Sequence, residues 1–463
     1  MYQVQEETKG ILIEQEKRIP FVVRYAGKLL LYIKIAQNYL SLSRQYSQVE
    51  INYYNEALDL GPCELIFEDQ NQEYNGIICF TKNIYDFELL FSKKKHNFEI
   101  SSNNIDLVLN QKYLIKPSFA QHVASLTYDL SVYKQFFSGL DNEIKQEKPD
   151  YKKKIEKYII NNEGKKFLNF FDLTIQDLER EVADYTKVEH NTHGFYLRRQ
   201  VWDIIQTSAF LNRTNTRPRG YAGDSRILYM IYQNKFKGNG IFAKLMHKHP
   251  LETVAAKAVR NRKQIVSNYI RQEYQKHKLF DKSSFKFMSI ACGPAIELKN
   301  IFSSKDEIQK MECKLLDQDT LALTEAKSLI AGLEKKHNSK LNVEYIQDSV
   351  RTLICNPNLK NMLGQFHVIY SLGLFDYLTP PTARKVIRQL YDLLLPGGSL
   401  LIGNFHINNP TIIYMEYWGD WVLYYRTEKE FLDLISGLKG ANGTVFMDKV
   451  APSQMYLKVI KEV

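Results

Sequence analysis

Cysteine is scarce in this sequence. The 463 residues include five cysteines, and no two of them form a CxxC pair. The odd number and the wide spacing exclude a disulfide framework and a structural zinc site built on cysteine pairs. Four histidines invite a metal interpretation, but no HExxH pattern accompanies them: His190, His193, His247 and His249. We therefore expect no metal site.

Long hydrophobic runs are also missing. The first ten residues are polar and acidic, which is unlike a secretory signal. The most apolar early stretch, residues 29–36, is short and is interrupted by Lys34, so it cannot span a bilayer. We expect a cytoplasmic protein with reduced cysteines and no membrane span.

Acidic residues are outnumbered, and the formal net charge is +10. A basic chain favours acidic partners such as nucleic acid or an anionic substrate, although a general lysine bias has the same effect. The densest basic runs, Lys93–Lys95 and Lys152–Lys154, lack the interleaved aromatic and glycine residues of a nucleic-acid platform. We expect a small-molecule substrate and no nucleic-acid partner.

The chain divides into three regions of different texture. Residues 1–115 show short alternating apolar runs separated by polar turns, which predicts a small β-rich domain, a barrel or a sandwich. Residues 116–275 show helical periodicity, with predicted helices over 167–182, 196–210 and 254–274 and a Gly/Pro/Arg loop at 216–224. We interpret this second region as a lid and substrate region.

Residues 276–463 alternate strand and helix. Such alternation predicts a parallel sheet with helices on both faces, and the final two runs, without a helix between them, predict an antiparallel hairpin. The predicted fold class is therefore α/β, with a Rossmann-like seven-stranded domain at the C-terminus. The predicted strands cover 285–291, 314–316, 343–346, 366–371, 400–405, 444–450 and 454–460, and the predicted helices cover 296–302, 321–333, 383–394 and 428–435.

The first motif follows the first strand of this domain and opens a helix. It is not a GxGxxG fingerprint, because Gly293 is its single glycine and no pyrophosphate needs a cradle. A methionine tail fits this tighter turn better, although an ordinary strand-to-helix turn remains the alternative. The candidate cofactor residues here are Ala291, Cys292, Gly293, Pro294 and Glu297.

Acidic residues mark the ends of the next two strands. Asp317, followed by Gln318 and Asp319, can accept ribose hydroxyls, although Asp319 can instead cap the next helix. Asp348 can accept an adenine amino group and Ser349 can donate its backbone N–H, with a turn as the alternative. Three ligand-facing positions at consecutive strand ends favour a nucleoside site, because ligands of open α/β sheets bind there.

The fourth strand ends in Ser371, Leu372 and Gly373, where a sulfonium methyl group and its acceptor should meet. The sequence has no Asp/Asn-Pro-Pro-Tyr/Phe element and no Pro-Cys nucleophile, and these absences argue against methylation of nucleic acid. The ordered motifs and the terminal hairpin together predict an S-adenosylmethionine-dependent methyltransferase.

The chain resembles one branch of class I methyltransferases, the extracellular-factor 3-hydroxypalmitic acid methyl ester biosynthesis proteins. The matching stretches are 217–224 (RPRGYAGD), 291–295 (ACGPA), 369–378 (IYSLGLFDYL) and 403–406 (GNFH), followed by Glu416, Trp421, Tyr425 and Arg426. The resemblance covers about residues 115–440. It implies methyl transfer to a fatty-acid carboxylate or a carrier-bound acyl group.

The resemblance also supplies candidates for the acceptor side. A carboxylate needs no strong base, and Arg426, Arg219 or Arg217 could clamp it. His406 could act as a general base toward a hydroxyl or amine, or could be a hydrogen-bonded structural residue. Further catalytic or lid candidates are Glu416, Tyr425, Tyr221 and Asp224.

Two alternatives stay open at this point. An acidic acceptor pocket containing Glu416 or Asp376 would favour N-methylation of an amino acid or peptide. The N-terminal region, with Leu60-Gly61-Pro62-Cys63-Glu64-Leu65, looks somewhat like a divergent PilZ-type barrel without its nucleotide-binding pattern. Ligand sensing or homodimerisation by that region is therefore the other alternative.

Overall fold

The computed structural model describes residues 2–14, 17–27, 30–36, 39, 45–53, 56–67, 74–80, 110–281, 283–356 and 358–462. The chain divides into two compact units. The first unit comprises Met1–Leu109, Asp348–Gly364 and Pro380–Leu393, and the second comprises Asn110–Gln347, Gln365–Thr379 and Leu394–Val463. The basic run Lys93–Lys95 lies outside the described residues.

Helices dominate the middle of the chain. Those of the described residues are, in chain order, α1 (Pro117–Glu143), α2 (Pro149–Ile159), α3 (Lys165–Glu181), α4 (Lys187–Gln200), α5 (Trp202–Ile205), α6 (Ala209–Thr216), α7 (Ser225–Gln233), α8 (Ile241–Glu252), α9 (Val254–Phe280), α10 (Lys305–Lys310), α11 (Thr320–His337), α12 (Val350–Cys355), α13 (Leu359–Leu363), α14 (Pro380–Asp392), α15 (Ile412–Gly419) and α16 (Glu428–Leu432). None of them combines the length and apolarity that a bilayer crossing needs.

The first unit contains an antiparallel sheet whose described strands run in the order β4-β7-β8-β3-β2-β1-β5-β6. The strands are β1 (Tyr2–Glu14), β2 (Lys17–Ala26), β3 (Leu30–Ile35), β4 (Gln45–Tyr46), β5 (Gln48–Tyr53), β6 (Glu56–Asp59), β7 (Cys63–Phe67) and β8 (Gly76–Phe80). Buried and exposed residues alternate along β2, as expected for a sheet with one covered face. The likeness to a PilZ-type barrel stays a prediction.

Helices α12 and α14 pack against this sheet within the first unit. The Tyr32 hydroxyl lies 3.3 Å from the Thr382 hydroxyl in a buried contact, and Lys385 Nζ lies 3.9 Å from Glu64 Oε1. The buried thiols of Cys79 and Cys355 are hydrogen-bonded to each other. The N-terminal strands and these two later helices therefore share one compact unit.

The second unit contains a seven-stranded sheet in the order β11-β10-β9-β12-β13-β15-β14. The strands are β9 (Phe285–Ile290), β10 (Met311–Asp317), β11 (Asn342–Gln347), β12 (Phe366–Ser371), β13 (Leu394–Phe405), β14 (Ala441–Met447) and β15 (Gln454–Lys461). Strands β9 to β13 pair in parallel, and β15 is antiparallel to both β13 and β14. The predicted Rossmann-like, seven-stranded α/β fold with an antiparallel final hairpin is confirmed.

Two of the predicted helices are wrong in detail. The predicted helix 196–210 is three helices, because α4 ends at Gln200 and Ser208 starts α6 by accepting a hydrogen bond from Leu211 N–H at 3.2 Å. The predicted helix 296–302 is a short 3₁₀ turn, Ile296–Asn300, because Ala295 before it has a left-handed backbone.

The helical layer of the second unit has its own core. Helices α1, α3, α4, α6, α8 and α15 bury large side chains against one another, and several of these side chains are fully enclosed: Phe119, Phe137, Phe167, Phe171, Tyr417 and Trp418. Phe405, the last residue of β13, belongs to the same core. The helical core therefore reaches the carboxyl end of the sheet, where ligands of open α/β sheets bind.

Candidate functional site

The turn after β9 is conformationally strained. Ala291, Gly293 and Ala295 all have positive φ angles, of 51°, 55° and 49°. Glycine adopts this conformation freely, but each alanine costs about 1 kcal/mol. Strain of this kind persists where the surroundings enforce it, commonly at ligand sites. The backbone therefore bends sharply at the predicted methionine turn.

Asp317, the last residue of β10, holds this turn. Its Oδ2 accepts a hydrogen bond from Gly293 N–H at 2.7 Å, and its Oδ1 accepts one from Asp319 N–H at 2.9 Å. Burial raises the pKa of Asp317, although these backbone donors oppose the shift. The backbone N–H of Gln318 also donates to this carboxylate, and since a carboxylate has about four acceptor positions, acceptor capacity remains for a ribose hydroxyl.

Asp319 has two partners of its own. Its Oδ1 accepts the Leu321 N–H at 2.9 Å and caps α11, and its Oδ2 lies 2.6 Å from Arg219 Nη1. Arg219 also donates to the Ser225 hydroxyl. The capping alternative for Asp319 therefore has direct geometric support, and Arg219 is engaged within the protein.

The loop 217–224 lies beside this strand end. Burial raises the pKa of the Tyr221 phenol, and the nearby charges of Asp317 and Asp319 raise it further. The Tyr221 ring packs edge-on to that of Tyr377, with 6.4 Å between the ring centres. Gly223 is a close-approach position, since a Cβ there would lie 2.6 Å from both Trp421 Cζ2 and the Tyr377 hydroxyl. The loop thus packs directly on the exit of the fourth sheet strand, β12.

Asp224 ends this loop in a fully buried position. Both of its oxygens accept from Arg213 Nε, at 3.0 and 2.8 Å, and Arg213 Nη2 lies 2.6 Å from Oδ2. Oδ1 also caps α7 by accepting from Ile227 N–H at 3.0 Å. All of these partners are groups of the protein itself, which favours a structural role for Asp224 over cofactor binding.

The exit of β12 faces a buried arginine that sequence reasoning missed. Ser371 donates to Ile290 O at 3.0 Å, and Leu372 O accepts from Arg262 Nη1 at 3.2 Å. A Cβ at Gly373 would lie 3.6 Å from the same nitrogen. Arg262 lies on the buried face of α9, three positions after Val259 and four before Val266. An arginine at helical spacing from buried valines is the sequence signal that could have identified it.

Asp376 follows on the same segment and is buried. Its Oδ1 accepts from Phe405 N–H at 2.7 Å. Burial raises the pKa of its carboxyl to about 7, while Phe405 N–H, Arg262 and Arg426 oppose that shift. The folded protein therefore favours the neutral acid at this position.

This shift predicts a pH dependence of stability. The folded pKa exceeds the usual value of 3.8, so the contribution of Asp376 is fully present below about pH 4 and is lost as the pH rises through 7. Each pKa unit is worth about 1.4 kcal/mol. Urea unfolding between pH 5 and 8 should show the wild type losing a few kcal/mol relative to Asp376→Asn, which keeps an acceptor for Phe405 N–H. Parallel pH profiles would contradict the assignment.

His406 has a protein partner on each ring nitrogen. Its Nδ1 accepts from Asn408 N–H at 3.1 Å, so its Nε2 carries the proton and donates to Glu428 Oε2 at 3.0 Å. The ring is buried, and its basic nitrogen is occupied. This arrangement favours the hydrogen-bonded structural alternative over a general base.

The remaining acceptor-side candidates are dispersed. Arg426 is buried and donates to Phe375 O, Leu378 O and Asn404 Oδ1. Arg217 donates to Asp420 Oδ2 at 2.6 Å. Burial raises the pKa of Glu416 to about 7, and its nearest cations are Lys187 and Arg198. The Tyr425 hydroxyl is buried without a hydrogen-bond partner among the described residues.

An open cavity lies within the second unit, and its space of about 430 Å³ includes the adjoining solvent. Carbon makes up nearly all of its wall. The lining residues are Phe210, Leu211, Ile231, Pro250, Thr253, Ala255, Ala256, Val259, Phe405, Thr411, Tyr414, Met415, Gly419 and Trp421. Of the acceptor-side candidates, Trp421 lines it, whereas Glu416, Tyr425, Arg426 and His406 are not among these residues.

The other predicted cofactor residues occupy varied positions. Within the second unit, Gln318 is exposed, Cys292 and Pro294 are buried, and the buried Glu297 accepts from the Tyr370 hydroxyl at 2.8 Å. Asp348 and Ser349 follow β11 directly but fall in the first unit, where Asp348 Oδ1 accepts from Ser349 N–H and the Thr352 hydroxyl. Their adenine role stays a prediction.

Three of the four candidate histidines, His190, His193 and His249, make hydrogen bonds within the protein, whereas the buried Nδ1 of His247 has no partner among the described residues. His193 accepts from Lys116 N–H at 3.0 Å, and His249 bridges Asp172 Oδ1 at 2.8 Å and the Tyr414 hydroxyl at 3.2 Å. Within the described ranges, no group of three or more His, Cys, Asp or Glu side chains could hold a metal ion.

Comparison with known families bears on the same residues. Residues 215–372, from the loop over Asp319 to the exit of β12, match the model of a family described as "Putative methyltransferase". The sheet order with its antiparallel β15 is the one expected of class I methyltransferases. The chain is an S-adenosylmethionine-dependent methyltransferase. S-adenosylmethionine is its cofactor, and the open, left-handed Gly293 turn and the Asp317 carboxylate fit that group.

Several solved structures are similar to this methyltransferase at low sequence identity. A possible exported protein from Bordetella parapertussis is 15% identical over 52% of this chain and 80% of its own, with a TM-score of 0.40. The magnesium protoporphyrin IX methyltransferase of Synechocystis PCC 6803, with bound S-adenosylhomocysteine, is 13% identical over 45% and 87%, with a TM-score of 0.34. The plantazolicin methyltransferase BpumL is 11% identical over 57% and 100%, with a TM-score of 0.35. No curated protein matches the chain.

Proposed function

We propose that this methyltransferase transfers its methyl group to an oxygen of a small apolar acceptor, a carboxylate or hydroxyl of a fatty-acid-like compound. The observation that carries the proposal is the carbon-lined cavity beside Phe405 and Trp421. Trp421 also donates to the Tyr377 hydroxyl at 2.8 Å, which connects the cavity wall to the segment after β12. An alkyl chain in the cavity would extend toward the strand end where methyl transfer is expected.

The few polar groups in the cavity wall are already hydrogen-bonded within the protein. The Thr253 hydroxyl donates to Pro250 O at 2.8 Å and accepts from Ala256 N–H at 3.3 Å, and the Thr411 hydroxyl accepts from Ala255 N–H at 3.3 Å. A wall without free polar groups suits the apolar part of an acceptor. Neither Glu416 nor Asp376 lines it, so N-methylation of an amino acid or peptide gains no support from the cavity.

The residues of the site suit direct displacement. S-adenosylmethionine supplies an electrophilic methyl group on its sulfonium. The protein contributes orientation through the Gly293 turn and Asp317, and it excludes water through Tyr221, Tyr377 and Trp421. A carboxylate acceptor needs no base, which agrees with the engagement of both His406 ring nitrogens. An oxygen that is already ionised is therefore the best-suited nucleophile.

A panel of acceptors of equal chain length tests the proposal. The purified protein would receive S-adenosylmethionine and 3-hydroxylated acids, unsubstituted acids, alcohols or amines, and S-adenosylhomocysteine formation would be measured by mass spectrometry. We expect turnover with the acids and hydroxylated acids. Turnover with the amines alone would favour N-methylation instead.

A cavity-filling substitution provides a second test. Ala256→Leu adds a branched side chain to the cavity wall, and we expect the affinity for dodecanoate and dodecanol to fall at least about tenfold. Isothermal titration calorimetry would measure the binding. Lys257→Leu, one position along α9 and exposed, is the matched control, and S-adenosylhomocysteine binding should be unchanged in both variants. Equal alkyl affinity in the two variants would place the acceptor outside this cavity.

We also propose the helical region as the lid and substrate region and the PilZ-like N-terminal region as the sensing or dimerising part of a cytoplasmic enzyme. The sensing role is supported by the shared compact unit, in which β-strands pack on α12 and α14. Titration of the full chain with nucleotides, followed by its methylation rate, would test that role. An unchanged rate would count against it.

A further inference from the structure

Arg262 is a buried cation without an anionic partner. It is 6% exposed, and none of the ion pairs of the described residues involves it. Burial of an unpaired charge is expensive, and proteins normally pair such groups or use them for a ligand. By contrast, Arg213, Arg217 and Arg219 each pair with an aspartate at 2.6 Å.

The hydrogen bonds of Arg262 are also incomplete. Its Nη1 donates to Leu372 O at 3.2 Å, and the Tyr232 hydroxyl interacts with the guanidinium. Its Nε is buried and has no acceptor among the described residues. An arginine offers five N–H donors in a fixed fork, so this side chain retains donors in the geometry that a carboxylate fills.

The acidic groups near Arg262 do not supply the missing partner. Glu297 accepts from the Tyr370 hydroxyl and Asp376 accepts from Phe405 N–H, and burial raises the pKa of both carboxyls. Burial alone would lower the pKa of Arg262, but the hydroxyls of Tyr232 and Tyr456 and the Asp376 carboxylate outweigh it. Neither of these carboxyl groups forms an ion pair with the guanidinium among the described residues.

The position of Arg262 places this charge at the ligand end of the sheet. Its Nη1 would lie 3.6 Å from a Cβ at Gly373, at the exit of β12. Ser267, five residues later on α9, donates to Glu297 O at 2.8 Å, which ties the same helix to the segment after the Gly293 turn. The helix that carries Arg262 thus contacts the segments that follow β12 and β9, at the cofactor end of the sheet.

We propose that Arg262 binds a ligand carboxylate at this end of the sheet. Two ligands of the enzyme carry that group, the methionine tail of the cofactor and, resting on the proposed function, an acid acceptor. A carboxylate in either position would fill the open donors of Arg262 and neutralise its charge. Arg262 then fulfils the clamp role expected of Arg217, Arg219 or Arg426, because Arg217 and Arg219 are paired with aspartates and Arg426 donates to backbone carbonyls.

Calorimetry with truncated ligands distinguishes the two sources. S-adenosylhomocysteine carries the methionine carboxylate, and 5′-methylthioadenosine lacks it. Dodecanoate carries an acceptor carboxylate, and dodecanol lacks it. The variants are Arg262→Gln, Arg262→Lys as the conservative change, and Arg271→Gln as a control at an exposed position of the same helix.

If Arg262 binds the cofactor, Arg262→Gln should lose at least about thirtyfold in S-adenosylhomocysteine affinity. Arg262→Lys should recover part of that loss, and methylthioadenosine affinity should not change, which also shows that the nucleoside site is folded. If Arg262 binds the acceptor, dodecanoate affinity alone should fall. Unchanged affinity for both acids in Arg262→Gln would overturn the inference. If the wild type binds no alkyl ligand, the acceptor proposal fails, and the comparison of the two nucleosides decides Arg262.

Discussion

Asp317→Ala should reduce the affinity for S-adenosylhomocysteine at least about a hundredfold. Hydrogen bonds to a charged acceptor are worth about 1.5–3 kcal/mol each, and Asp317 has acceptor capacity left for a ribose hydroxyl. The substitution also removes the acceptor of Gly293 N–H and Asp319 N–H, which hold the turn after β9. Isothermal titration of the purified variant measures the loss directly.

The ribose role and the turn role of Asp317 can be separated. Methylthioadenosine and its 2′-deoxy analogue differ by one hydroxyl, so their affinity ratio should be large in the wild type and close to one in Asp317→Ala. If Asp317 only holds the turn, the ratio should be the same in both proteins. Asp319→Asn is the matched control, because it weakens the pair with Arg219 and should leave the ratio unchanged.

The sheet could be predicted from sequence because its strands are buried on both faces. Strands β9 and β12 are short apolar runs separated by periodic helices, and such runs indicate parallel strands with little ambiguity. For the half-exposed edge strand β11 and for β10, the predicted strands are shorter than those in the structure. Strand β1, which is rich in polar residues, was not predicted, because its pattern is only a weak alternation.

The cofactor side of the site was more predictable than the acceptor side. Gly293 follows β9 and Asp317 ends the neighbouring parallel strand β10, so the fold alone brings Gly293 N and Asp317 Oδ2 to 2.7 Å. The acceptor-side arginines carry no such constraint, because loop contacts determine their partners. Arg219 pairs with an aspartate 100 positions away and Arg426 with backbone carbonyls, and neither contact leaves a periodic signal.

The loop 217–224 shows how a sequence motif can be structural and still serve the site. Its arginines, glycines and aspartate form one continuous set of contacts, with Arg217 held by Asp420, Arg219 by Asp319 and Asp224 by Arg213. Gly223 permits the close packing on Tyr377 and Trp421. The motif therefore fixes Tyr221 beside the strand end rather than binding ligand with each of its charged residues.

Asp224→Ala should lower the free energy of unfolding by about 4–5 kcal/mol, the second large effect that we expect. Removal of one partner of a buried ion pair costs about 3–5 kcal/mol, and loss of a helix N-cap costs about 1 kcal/mol. Asp224 is fully buried and fulfils both roles, toward Arg213 and toward Ile227 N–H. Denaturant unfolding of the variant and the wild type gives the difference.

Asp224→Ser separates the two contributions, because serine keeps the cap and loses the ion pair. It should therefore recover only about 1 kcal/mol of the loss. If Asp224 instead contacts the cofactor, the alanine variant should be close to wild type in stability and should lose S-adenosylhomocysteine affinity at a temperature where it is fully folded. Because all the hydrogen bonds of its two oxygens go to Arg213 and Ile227, we expect the folded variant to retain most of its cofactor affinity.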